Sequence, residues 1–206
     1  MWQSISLSKR LPLVKARHMQ KVILSLFDYS GNWPSFYKRA GYDVYQVDVK
    51  LGLDILELTK SDLPEHVHGV LAAPPCTDFA GSGAQYWKQK DLDGRTAASL
   101  KLIDKTLEII GWYNPQWWAL ENPVGRLQKL RPQLGDPWYF QPHWFGDAYT
   151  KKTGLWGTFN RDLPRCDVEP DPNSWIMKLG GKSERTKELR SMTPLGFAES
   201  FFLANP

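Results

Sequence analysis

The sequence predicts an α/β fold, with a mostly parallel sheet carrying helices on both faces. Three observations predict it. Short apolar runs alternate with stretches of helical character, each apolar run stops at a polar or turn-forming residue, and one long segment repeats its apolar positions at helical spacing.

The elements follow in order. Val22-Ile23-Leu24-Ser25-Leu26-Phe27 is an apolar run closed by Asp28, the pattern of a buried strand, and the turn-rich Tyr29-Ser30-Gly31-Asn32 comes next. Pro34 through Ala40 suits a short helix opened by proline and stopped by Gly41. Tyr42 to Val47 predicts a second strand ending at Asp48, and Gly69 to Ala73 a third, cut off by Pro74-Pro75. From Thr96 to Tyr113, Leu100, Ile103, Leu107 and Ile110 share one helical face, so that stripe is core. Trp117-Trp118-Ala119-Leu120 predicts a fourth strand, followed by Glu121-Asn122-Pro123. The last third is rich in Pro, Gly and Trp, and its periodicity assigns no element.

A chain of 206 residues fits a single domain, expected over 21–206 behind a basic segment at 1–20. The net charge of +4, with basic clusters at Lys9–Arg17 and Lys178–Arg190, suits an anionic partner such as nucleic acid. Cys76 and Cys166 lie far apart and outside any CxxC pattern, so neither a disulfide framework nor a metal site is expected. A reducing, cytoplasmic setting is the expectation, because no apolar stretch reaches the length of a membrane span and no secretory leader is evident.

Asp28, Asp48, Pro74-Pro75-Cys76 and Glu121-Asn122-Pro123 all follow the C-terminal ends of apolar strands. Open parallel sheets bind ligands outside those ends, so these residues are expected to converge. Taken singly, each has an ordinary structural use: a buried thiol, a rigid turn, a helix cap.

In that order, Pro74-Pro75-Cys76 and Glu121-Asn122-Pro123 resemble the Pro-Cys and Glu-Asn motifs of the DNA cytosine-5 methyltransferases, with small phage-type members most similar. The resemblance extends from Val22 to Asn205 and includes Arg190-Ser191-Met192-Thr193-Pro194, similar to the family's late motif, and the stretch from Gly180-Gly181-Lys182-Ser183 to Phe197-Ala198. It implies a Rossmann-like fold of the kind that uses S-adenosylmethionine. It implies Cys76 as nucleophile and Glu121 beside it as the catalytic pair. The cofactor would lie against Phe27, Asp28, Gly31, Asp48, Val49, Asp54, Ile55 and Pro74, with Asp48 holding the ribose and Asp54-Ile55 addressing the adenine. Pro75, Asn122, Lys151 and Lys152 would face the substrate, DNA with its target cytosine flipped out of the duplex.

The chemistry suits these residue types. Carbon 5 of cytosine is a poor nucleophile until a thiolate adds at C6, and cysteine is intrinsically nucleophilic enough for that step. A carboxyl group at the N3 and amino edge holds the ring and stabilises charge gathering there.

Three departures from the family pattern stand out. The glycine-rich cofactor loop is replaced by Phe27-Asp28-Tyr29-Ser30-Gly31-Asn32-Trp33, in which Trp33 adds bulk. That implies a shifted cofactor, a modified one, or a degenerate pocket. Only a minimal recognition insert, around 157–189, occupies the place of the large recognition domain. Specificity is therefore expected to be short or relaxed, or supplied by a protein partner. The chain also ends at Asn205-Pro206 without the family's final motif, whose place the segment Trp2–Met19 could take. The alternative reading is a catalytically inactive methyltransferase-like protein that binds nucleic acid or a partner, or the same chemistry on RNA or a nucleotide.

Overall fold

The computed structural model describes residues 20–174, 176, 178, 179 and 183–206. The segment 1–19, with the Lys9–Arg17 cluster and the suggested substitute wall Trp2–Met19, lies outside the described residues, as do Gly180, Gly181 and Lys182.

Strand β1 (Val22–Leu26) leads through α1 (Ser35–Arg39) to β2 (Asp43–Val47), and β3 (Gly69–Ala72) follows three short 3-10 turns. Next come α2 (Trp87–Leu92), the long α3 (Arg95–Tyr113) and β4 (Trp117–Pro123). Then follow α4 (Leu127–Leu130), β5 (Trp138–Phe140), β6 (Thr153–Thr158), α5 (Glu184–Ser191) and α6 (Leu195–Ala204), with further 3-10 turns at Gly81–Tyr86, Pro132–Leu134 and Pro142–Trp144. The six strands form one sheet in the order β2-β1-β3-β4-β6-β5. The first four are mutually parallel, and β6 runs antiparallel to both β4 and β5.

The α/β class, the mostly parallel sheet and helices on both faces are as the sequence predicts. Alternation along the strands decides the two faces. Leu24, Leu26, Val70, Ala72 and Leu120 point into one core with Ile103 and Ile109 of α3. Ile23, Leu71, Trp117 and Ala119 point into the other, with Tyr37 of α1 and Phe197 and Phe201 of α6. This second face is aromatic: Phe140 stacks on Phe197 at 3.9 Å, and the Tyr37 hydroxyl donates to the Asn205 carbonyl at 2.7 Å.

Two sequence expectations change here. Glu121-Asn122-Pro123 does not lie beyond its strand but inside β4, because β6 pairs with it there, Glu121 opposite Leu155. The parallel partner β3 stops earlier, at Ala72 opposite Leu120, so Glu121 still projects past the parallel edge. Trp33 does not crowd the loop after β1. It is 1% exposed and packs edge-on against Phe201 within the aromatic core.

The segment after β6 is fastened to the body of the fold. Asn160 N–H donates to the Asn205 side chain, Ser200 to the Pro164 carbonyl, and Cys166, Val168 and Asp171 N–H to Trp144, His143 and Ala148. Leu163 is buried beneath it. No helix among the described residues is long and apolar enough to cross a membrane.

Candidate active site

A cleft of about 450 Å³ opens at the C-terminal ends of β1, β2, β3 and β4. Phe27, Asp28, Tyr29, Asp48 and Lys50 line one end, and Pro74, Pro75, Cys76, Glu121 and Lys151 the other. Arg185, Leu189 and Arg190 of α5 form a further wall.

The loop after β1 turns without a glycine run. Phe27 adopts a left-handed conformation (φ 59°), as does Gly31 (φ 68°), and the Asp28 carboxylate gathers the loop between them. It accepts from Ser25 Oγ at 2.9 Å, Ser30 Oγ at 3.0 Å and Gly31 N–H at 2.7 Å. Asp28 thus organises the loop. Asp48 caps the 3-10 turn Val49–Leu51, one oxygen accepting from Lys50 N–H at 2.8 Å. Its second oxygen accepts no hydrogen bond among the described residues, an open acceptor at the cleft.

Of the other residues expected at a cofactor, Gly31 lines a separate shallow groove with Lys38 and Gln46. Val49 is exposed, Asp54 caps the turn Ile55–Glu57, and Ile55 is buried in the core. The Asn122 side chain is fully buried and donates to the Pro74 carbonyl at 3.1 Å. Lys152 lies over the Tyr139 ring at 4.6 Å, outside the cleft lining.

Cys76 and Glu121 share a wall because β3 and β4 are adjacent. Burial pushes the Cys76 thiol up, and the charge of Glu121 adds to the effect, while Lys151 and Arg190 pull it down. Burial also raises the Glu121 carboxyl, opposed by Lys151, whose Nζ lies 4.0 Å from Oε1. Lys151 also donates to the Arg190 carbonyl at 3.1 Å, tying α5 to this end of the cleft. At the other end Lys50 pairs with Glu188 at 2.6 Å.

Residues that the sequence reading passed over hold the thiol in place. The Cys76 carbonyl accepts from Phe79 and Ala80 N–H, and the loop behind it is bolted to the segment after Glu121. Gly81 N–H donates to the Val124 carbonyl at 2.8 Å, and Arg126 N–H to the Phe79 carbonyl at 3.0 Å. A side chain at Gly125 would sit 1.9 Å from the Phe79 oxygen, so only glycine permits this contact. Buried Lys90 donates to the Thr77 carbonyl at 2.5 Å and pairs with Asp78 at 3.3 Å. Buried Arg126 bridges the Asp78 carbonyl, Asp91 and Thr96. The glycine so soon after Glu-Asn-Pro was the one local signal, whereas nothing local marks Lys90 or Arg126.

No family model matches the chain. A protein of Frog virus 3 (isolate Goorha), described as a "Probable DNA (cytosine-5)-methyltransferase", is 28% identical over 209 residues, covering 84% of this chain and 94% of the viral one. Among solved structures, the Entamoeba histolytica methyltransferase EhMeth aligns at 12% identity and a TM-score of 0.49, over 80% of this chain. The Schizosaccharomyces pombe Dnmt2 methyltransferase aligns at 12% identity and a TM-score of 0.42, over 81% of this chain. This chain spans 61% and 56% of the length of those two solved chains. The similarity to the viral protein extends over most of both chains, and with it the resemblance to the DNA cytosine-5 methyltransferases read from the motifs.

Proposed function

We propose that this protein is a DNA cytosine-5 methyltransferase that draws its methyl group from S-adenosylmethionine. One observation carries the reading: a cysteine and a glutamate share a wall of the same cleft that, at its other end, offers an open aspartate oxygen. The cleft falls within the roughly 300–1,000 Å³ usual for small-molecule sites. Asp48 would hold the ribose, with Phe27, Asp28 and Pro74 lining the pocket around it. S-Adenosylmethionine supplies an electrophilic methyl group when bound.

The chain's own residues do the rest. The Cys76 thiolate adds to C6 of the flipped cytosine, and the electron pair moves to C5. The Glu121 carboxyl, kept high in pKa by burial, hydrogen-bonds the N3 edge while that charge develops. Lys151, whose Nζ lies 4.0 Å from Glu121 Oε1, favours the thiolate of Cys76 by its charge. After carbon 5 is methylated, its proton leaves to a base, the C6–S bond breaks, and Cys76 recovers its thiolate.

The catalytic domain runs from 21 to 206, with a minimal recognition insert around 157–189 and a cytoplasmic setting. The inward packing of Trp33 supports an enzyme over an inactive binding module, because the glycine-poor loop leaves the cleft clear. A second reading keeps the chemistry and moves it to RNA or a nucleotide. It is favoured by the segment 159–171, which lies fastened to the body and forms no separate recognition module.

The test is a trap. Fluorine at C5 cannot leave as a cation, so DNA carrying 5-fluorocytosine is expected to form a denaturant-resistant complex requiring both the cofactor and Cys76. Trapping on RNA alone moves the substrate. An adduct that survives Cys76→Ser, or none on any substrate with cofactor bound, overturns the mechanism.

A further inference from the structure

The arginines among the described residues divide sharply. Arg95, Arg126, Arg131 and Arg165 each pair with an aspartate. Arg39 and Arg161 lie over the rings of Phe36 and Phe159. Among the described residues only Arg185 and Arg190 have guanidinium groups with neither kind of partner. Both are exposed, both sit on α5, and both line the cleft that holds Cys76 and Glu121. Arg190 is near enough to the thiol to lower its pKa.

Their placement is fixed by the rest of α5. Lys50–Glu188 and Lys151 to the Arg190 carbonyl hold the helix against the two ends of the cleft. The Asn32 side chain donates to the Thr193 carbonyl just beyond it. The Thr186 N–H at the start of the helix is already satisfied by Ser183. A ligand on α5 would therefore meet the guanidinium groups and not a free helix end. The segment before α5 has the opposite character. Its fastened stretch sets Asp162, Asp167, Glu169 and Asp171 against Arg161 and Arg165, which are engaged by Phe159 and Asp167, so its net charge has the wrong sign for a polyanion.

We propose that Arg185 and Arg190 clamp the phosphodiesters flanking the target nucleotide, so that α5 is the strand-holding element of this protein. The inference rests on the cleft being the cytosine site. Two unpaired guanidinium groups at the mouth of a nucleophile's cleft match the charge and the forked geometry of phosphate oxygens. Phosphate contacts hold register without reading bases, so substrate affinity comes largely without sequence preference.

The test measures binding of the full chain to a labelled cytosine-containing DNA duplex at increasing salt. The slope of log K against log salt is negative, and each lost phosphate contact is expected to reduce its steepness by about 0.9. Arg185→Gln and Arg190→Gln should each lose about that much, and the double variant about twice as much. Arg185→Lys, which keeps the charge, should retain the wild-type slope. Calorimetry should give Arg185→Gln the wild-type affinity for S-adenosylmethionine, separating a strand contact from a distorted cleft. An unchanged slope in the double variant overturns the clamp, as does a wild-type chain that binds no DNA or binds only RNA. Methyl transfer with an unchanged slope sinks the clamp alone. A responsive slope without methyl transfer sinks the assigned reaction and leaves the clamp standing.

Discussion

Replacing Gly125 with alanine should loosen the joint that sets Cys76 against Glu121. The added carbon would lie 1.9 Å from the Phe79 oxygen and 2.8 Å from its carbonyl carbon, both backbone atoms that no rotamer can move aside. Restoring ordinary contact, at 3.4 Å or more, requires the two loops to part by about 1.5 Å. Two hydrogen bonds cross this joint, Gly81 to Val124 and Arg126 to Phe79, and neither survives such a shift. Each is worth roughly 0.5–1.5 kcal/mol net, and more where a buried group is left unpaired, so the total loss is about 2–4 kcal/mol. For a chain of this size about 3 kcal/mol lowers the melting temperature by roughly 6–12 °C. The Cys76 loop moves with Phe79, and a misplacement of about 1 Å near reacting groups costs on the order of 10²-fold in rate. Thermal melts and single-turnover methyl transfer well below the melting point read the two effects separately. A melting temperature within about 2 °C of wild type, with undiminished turnover, would refute the joint as described.

Two further expectations follow from the same cleft. Asp48→Asn keeps an oxygen to cap Lys50 N–H and removes the charge from the open acceptor. Stability should hold while calorimetry shows cofactor affinity falling by one charge-assisted bond, about 1.5–3 kcal/mol; unchanged affinity would reject the ribose placement. The thiol should answer to its charged neighbours in opposite directions. The negative charge of Glu121 disfavours the thiolate, so Glu121→Gln should shift Cys76 alkylation to lower pH. Lys151 favours the thiolate, so Lys151→Gln should shift it to higher pH. Profiles taken in a Cys166→Ser background isolate Cys76, and coincident profiles would contradict the electrostatic account.

The four parallel strands were legible because each carries several apolar residues with a turn signal behind it; β1 and β3 are buried almost throughout, while the edge strand β2 admits Asp43 and Gln46. Strands β5 and β6 were not legible. Trp138–Phe140 is only three residues long, Thr153–Thr158 breaks its apolar positions with two glycines, and β6 is a strand because β4 offers it an edge. The same pairing moved Glu121 inside its strand. Trp33 misled in the sequence because a bulky residue beside a cofactor loop reads as an obstacle, whereas its direction is set by Phe197 and Phe201, far along the chain.

By itself the sequence determined the fold class, the order of its polar strand ends, and the convergence of a cysteine and a glutamate on one cleft. Local signals suffice there, since apolar period and strand-ending residues are properties of neighbours in the chain. Only the tertiary structure decided that α5 closes the same cleft, that Lys90, Gly125 and Arg126 fix the thiol's loop, and that Asp28 serves the loop while Asp48 keeps an open oxygen. Each of those depends on which distant groups meet, and a side chain's role follows from the partners that packing leaves it.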